Sequence, residues 1–339
     1  MRAFGPGASY AGAIRSRWPT DGVPEMSDKT EQVFSGRTRD LGGFEVRRVL
    51  PYAKRRMVGP FIFFDQMGPA DFPAGQGIDV RPHPHIGLAT VTYLFDGAME
   101  HRDSLGIDLT IRPGDVNWMT AGRGVVHSER TPAAEREAGH KLYGIQTWVA
   151  LPAESEDMAP AFFHHKADTL PRFERDGGEF RLILGTAWGH VSPVEVFSPI
   201  VYLHGELRAG ASVALNLEHE EVAVYLVEGG IALDGRALEP GEMAVIAPGS
   251  APVLTAPVPS RVMICGGAPL GPRHIYWNFV ASDRGAIERA KTDWTGAAGA
   301  GFPDGGRFTL PPGENEHIPL PDDAAPGKAV QPTAESPTS

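Results

Sequence analysis

Cysteine is almost missing from this chain, with Cys265 the single one among 339 residues. That excludes an intramolecular disulfide and fits a reducing compartment. Its neighbours Val262, Met263 and Ile264 read as the end of a buried strand, so the thiol receives no catalytic role. Basic clusters are equally scarce. Only Lys54 to Arg56 gathers positive charge, and the formal net charge of −11 argues against direct nucleic-acid binding, which needs clustered Lys and Arg. No apolar run approaches the roughly 20 residues of a membrane-spanning helix. The first 25 residues hold arginines but no secretory apolar core, so a cytoplasmic location is the expectation.

Turn-forming residues, by contrast, abound, with 41 Gly and 31 Pro. Between them recur short apolar and β-branched runs: PFIFFDQM, LATVTYLFDG, VNWMTAG, YGIQTWVAL, FRLILG, SPIVYLHGEL, VAVYLVEGG, EMAVIAPG and RVMICGG. Each stops at Gly, Pro or Asp, residues that permit turn backbones, so the chain predicts an all-β barrel or sandwich. One short C-terminal helix is expected in SDRGAIERAKTDW, with Ser282 or Asp283 as its cap and Ile287, Ala290 and Trp294 on one face.

VTYLFDGAMEH resembles VAVYLVEGGIAL, and IRPGDVNWMTAG resembles LEPGEMAVIAPG. Two copies of one β-module imply two similar barrels. The expected division is an N-terminal metal-binding domain over 31–165 and a C-terminal domain over 166–310 without metal ligands. Residues 1–30 are expected to be a disordered or over-called extension, with Met26 an alternative start to Met1, and 311–339 a disordered Pro- and Ala-rich tail.

In RPHPHIGLAT, His83 and His85 lie two apart on a strand and therefore share a face. In GVVHSER, His127 and Glu129 repeat that spacing on another strand. Facing each other, the two pairs gather three imidazoles and one carboxylate, the donor set of a mononuclear metal site. The second copy serves as a control. Aligning Gly97 with Gly229 places Leu215 and Leu217 where the first copy has His83 and His85, and His127 and Glu129 fall near Leu254 and Ala256. A scaffold that exists once with polar residues and once with apolar ones points to function. Other histidines do not join the set. His164 and His165 are adjacent and face opposite ways, while His101 with Asp103 and Ser104 suits hairpin hydrogen bonding. Phe63, Trp118 and Met119 are candidate pocket walls.

GIDVRPHPHIGLATVTYLFDG resembles the first metal-binding motif of the cupin superfamily, from Gly77 through His83 and His85 to Gly97. Thr90 stands where cupins generally carry a glutamate, and the carboxylate reappears as Glu129. That arrangement resembles the pirin family, as do GPFIFFDQMGP, EHRDSLG, TAGRGVVHSER and IQTWVALP, over about residues 34–300. The resemblance implies a bicupin of two jelly-roll barrels with metal only in the first. Its implied ligands are His83, His85, His127 and Glu129. Fe(II) is the first choice, and the donor set also suits Mn, Co, Ni, Cu or Zn.

Two functions remain open under this resemblance. One is a quercetin 2,3-dioxygenase, in which a flavonol binds through its 3-hydroxyl, Glu129 takes the proton, and reaction with O2 opens the ring and releases carbon monoxide. The other is a non-enzymatic iron-binding regulator acting through protein partners such as transcription regulators. A hydrolytic or isomerising Zn or Mn cupin is a third, weaker class, and a monomer is expected.

Overall fold

The computed structural model describes residues 29–40 and 44–321. It is an all-β molecule of two jelly-roll barrels, each built from one long and one four-stranded antiparallel sheet. In the first barrel the long sheet runs Ala161–His165, Val116–Thr120, Leu88–Gly97, His140–Ala150, Phe61–Phe72, Glu45–Leu50, Arg37–Asp40. Its short sheet runs Asp79–His85, Val125–Arg130, Met99–Asp103, Asp108–Ile111. The second barrel repeats this order, except that Thr30–Ser35 takes one edge of its long sheet and the two-residue strand His190–Val191 is added beside Gly178–Ala187. Glu242–Ile246, Glu221–Glu228, Ser260–Gly267 and Ile200–Leu207 form the middle of its long sheet, and Ala211–Ala214, Val253–Ala256, Ile231–Leu233 and Arg236–Leu238 form its short one.

The long sheets pack against each other, which explains why their strands read as unbroken apolar runs: both faces are covered. Along Leu88–Gly97, Val91 and Tyr93 enter the shared core while Leu88 and Leu94 turn into the barrel. Along Glu221–Glu228, Ala223, Tyr225 and Val227 enter that same shared core and Val222, Val224 and Leu226 fill the second barrel. Ring pairs cross the seam at Phe64–Tyr225 (4.9 Å) and Phe61–Tyr202 (5.2 Å). The Tyr225 hydroxyl donates to Gln66 Oε1 at 2.6 Å, which gives that buried hydroxyl its partner across the seam. Gly97 and Gly229, the matched turn residues of the repeat, have φ of 87° and 91°. A Cβ at Gly97 would also strike the Lys141 carbonyl, so the turn requires glycine twice over.

Three sequence expectations change. Thr30–Ser35 does not belong to the first barrel as the 31–165 division assumed, because it pairs with Glu242–Ile246 at the edge of the second barrel's sheet. The equivalent edge of the first sheet is already occupied by Ala161–His165. The helix spans Arg284–Gly299, with Asp283 as its cap accepting from Gly285 N and Ala286 N at 3.0 and 3.1 Å. Ile287, Ala290 and Trp294 are its buried face, as expected, but they pack with Ile86 and Val126 on the first barrel rather than the second. The tail is the third change. Residues 311–321 are ordered contacts, since Ile318 N donates to Pro82 O at 2.8 Å and Glu314 meets Arg130. Residues 1–28 and 322–339, including the choice of Met1 or Met26, lie outside the described residues.

Candidate metal centre

Asp79–His85 is an edge strand, paired only with Val125–Arg130. This location accommodates Pro82 and Pro84, which offer no N–H to a ladder. Their backbone edge faces away from the partner strand, where Ile318 N takes the Pro82 carbonyl. The same alternation turns His83 and His85 into the barrel. His127 lies directly opposite His83 in the register, and an irregularity between His127 and Glu129 sets Glu129 opposite Val80.

His83, His85 and His127 are all buried, and each offers one ring nitrogen to a group whose members lie within 4.8 Å of one another. Ring centroids are 5.0 Å (His83–His85), 4.4 Å (His83–His127) and 4.9 Å (His85–His127) apart. His85 Nε2 and His127 Nε2 are 3.0 Å apart. Two imidazole nitrogens bound at right angles to one ion at about 2.1 Å would be about 3.0 Å apart, so this pair suits a shared cation. His83 Nδ1–H donates to Arg81 O at 2.9 Å, which leaves its Nε2 bare. Burial holds all three imidazoles neutral, as ligation requires. It lowers His83 to about 4, with the Arg81 carbonyl opposing, and holds His85 and His127 well below the usual histidine range.

Glu129, two residues beyond His127 on the same strand, is buried but lies outside the 4.8 Å set. Its Oε1 accepts from Gln146 Nε2 at 2.6 Å, a contact that reaches across the barrel from the long sheet. Burial raises its carboxyl above the usual range, against the opposing pull of His101 and Gln146. Trp148, two residues beyond Gln146, sets its ring edge-on to His85 at 5.2 Å and stacks on Phe63 at 4.1 Å. Phe63 and Met119 thus lie on the barrel side of the sheet, as a pocket wall requires. Trp118 does not: alternation sends it into the inter-barrel core, where its Nε1–H donates to Thr120 Oγ1.

Among the remaining histidines, His164 Nδ1 meets Asn117 Oδ1 at 2.8 Å, apart from the triad. His101 makes the expected hairpin bond to Asp103 Oδ2, at 3.0 Å, and also touches His127, a contact the linear spacing does not reveal. A cleft of about 550 Å³ beside Ile86 and Gly87, lined by Arg123, Ser282, Asp283 and Arg289, does not contain the imidazoles.

The second barrel confirms the contrast but shifts its alignment. Leu254 lies opposite Val213, as His127 lies opposite His83, so Val213 and Leu215 stand in for the two histidines rather than Leu215 and Leu217. The link from Leu215 to Gly229 is two residues longer than that from His85 to Gly97, which displaced the alignment. All the counterparts, Ala256 included, pack in an apolar core.

Comparison with known proteins agrees with this geometry. The model of the Pirin family matches residues 43–149, and that of the pirin C-terminal cupin domain matches 202–298. A pirin-like protein of Caulobacter vibrioides is 50% identical over 294 residues, covering 86% of this chain and 99% of its own. This chain belongs to the pirin family. A Pseudomonas aeruginosa pirin relative provisionally named quercetin 2,3-dioxygenase is 38% identical, covering 85% of this chain and 92% of that one. The crystal structure of quercetin 2,3-dioxygenase from Acinetobacter baumannii superposes with a TM-score of 0.77 at 34% identity, covering 86% of this pirin and 96% of that chain. This pirin is therefore a bicupin whose first barrel carries a three-histidine cluster fitted to a metal cofactor.

Proposed function

We propose that this pirin is a metal-dependent dioxygenase of the quercetin 2,3-dioxygenase type, cleaving an enolisable aromatic substrate such as a flavonol with O2. The observation that carries the reading is the convergence of three buried imidazoles in one barrel, with a buried carboxylate two residues beyond His127 on the same strand, against apolar counterparts in the duplicate. The residues that would hold the ion are His83, His85 and His127, with Glu129 as fourth ligand; Fe(II) is the proposed metal. A divalent ion there supplies Lewis acidity toward a substrate hydroxyl and redox access to O2.

The chain's own groups supply the rest. Glu129, made more basic by burial, accepts the proton of the flavonol 3-hydroxyl. Gln146 holds Oε1, which leaves Oε2 for the ion or the proton. Phe63 and Trp148, stacked at 4.1 Å with the Arg48 guanidinium over the Phe63 ring, give this side of the barrel an aromatic lining for an aromatic substrate. The proposed reaction takes in one flavonol and one O2 and releases one ring-opened ester and one carbon monoxide.

Anaerobic loading with Fe(II), addition of quercetin and admission of air tests this directly. Loss of flavonol absorbance with carbon monoxide evolution is expected. No turnover with any first-row divalent metal would overturn the catalytic reading and favour a regulatory metalloprotein.

A further inference from the structure

We propose that Asp103 and His101 form a relay that fixes the tautomer of His127 and so prepares its Nε2 for metal. The proposal rests on the metal reading of the three-histidine cluster and is independent of the substrate.

Asp103 is completely buried in the strand end Met99–Asp103, beside Val125–Arg130. Its Oδ1 accepts from Leu105 N at 2.9 Å and Ile107 N at 3.2 Å, so the turn holds the carboxylate in one orientation. Its Oδ2 faces His101 Nε2 at 3.0 Å. A carboxylate with two backbone donors on one oxygen acts as acceptor on the other, which places the His101 proton on Nε2. In the neutral imidazole, His101 Nδ1 is then a bare acceptor. It faces His127 Nδ1 at 3.4 Å, so His127 carries its proton on Nδ1. The Nε2 of His127 is left unprotonated, and it is this atom that lies 3.0 Å from His85 Nε2.

Packing holds the relay in place as well as hydrogen bonding. Phe162, from the long sheet, stacks on His101 at 4.6 Å and covers its ring. His101 is 4% exposed, so no bulk water competes for its two nitrogens. Metal-bound histidines commonly donate their second N–H to a carboxylate or carbonyl. Here the carboxylate acts at one remove, through a second imidazole. Both residues are positioning residues rather than ligands.

The sharpest perturbation is Asp103→Asn. Leu105 N and Ile107 N would hold the amide oxygen on the Oδ1 side, turning the amide NH2 toward His101 Nε2. His101 would then move its proton to Nδ1 and oppose the Nδ1–H of His127, driving His127 to the Nε2–H form that cannot ligate through that atom. Two readouts are needed. In the metal-free protein, 15N imidazole shifts report the His127 tautomer, expected as Nδ1–H in the wild type and Nε2–H in the variant. Zn(II) affinity by chelator competition is expected to fall about 10–100-fold, the usual effect of losing such a partner. His101→Phe, which retains the ring packing on Phe162, guards against a folding defect in the Asp103 turn. It should weaken Zn(II) to a similar extent, while His101→Asn, able to place an amide oxygen where Nδ1 lies, should recover most of the loss.

An Asp103→Asn protein with wild-type tautomer and wild-type Zn(II) affinity would overturn the relay, as would His101→Phe with unchanged affinity. A wild-type protein that takes no Zn(II) at all would instead refute the metal site on which the relay depends.

Discussion

Acid should destabilise the metal-free protein through its buried histidines. Burial is the leading reason His83 drops to about 4 from an ordinary 6.5. With a native pKa below the unfolded one, the unfolded chain binds the proton more readily, so the contribution is complete above about pH 6.5 and is lost as pH falls through 4. At ~1.36 kcal/mol per pH unit, that separation gives about 3 kcal/mol from His83 alone. His85 and His127 act in the same direction. Glu129 acts in the opposite one, because burial favours its neutral form and its contribution is gained as pH falls through its raised pKa. A domain is stable by only about 5–15 kcal/mol, so the effect is a large share of the total. Denaturant unfolding of chelator-stripped protein at pH 7 and pH 4, compared with His83→Gln, measures it. The wild type should lose about 3 kcal/mol more than the variant over that interval. Superimposable pH dependences would refute the claim that the fold keeps this imidazole neutral.

Further outcomes follow from other contacts. Glu314 accepts from Ser128 Oγ at 2.9 Å and from Arg130 Nε at 3.1 Å, so Glu314→Ala leaves these two donors without that acceptor, while Arg130 Nη2 keeps Glu316. A loss of about 1–3 kcal/mol in denaturant unfolding is expected, and no loss would show that the segment does not brace the ligand strands. Trp294 is 1% exposed and its Nε1–H donates to Ile318 O at 3.2 Å. Trp294→Ala should cost about 3–5 kcal/mol, read as a lowered denaturation midpoint. Gln146→Leu removes a hydrogen bond that lowers the Glu129 pKa, so 13C titration of metal-free protein should find that carboxyl more basic in the variant than in the wild type. An equal or lower value would show that the bond does not favour the ionised form.

The triad was legible because strand alternation is local. Two residues apart means one face, and His83 with His85 needed only a strand to converge. Gly97 and Gly229 made the duplication visible, since each turn demands a backbone that glycine adopts most easily. Long-range pairing was not legible. Nothing in TEQVFS says that it joins Glu242–Ile246, because an edge strand's partner is set by which sheet edge lies open. Nor does an acidic, proline-rich segment announce that Arg130 waits for Glu314 and Glu316. Trp118 and Met119 show a finer limit. Both are apolar neighbours, and only the face of the strand separates a core residue from a wall of the site. The contact of His101 with His127 depends on the register of Met99–Asp103 against Val125–Arg130, a property of the paired strands rather than of either alone.

Metal content of purified protein by elemental analysis, run beside three single substitutions, tests the central claim most directly. The wild type should hold a single transition-metal ion per chain, His83→Ala and Glu129→Ala should lose it, and His164→Ala should retain it. Equal metal in all four proteins would contradict the assignment of the site.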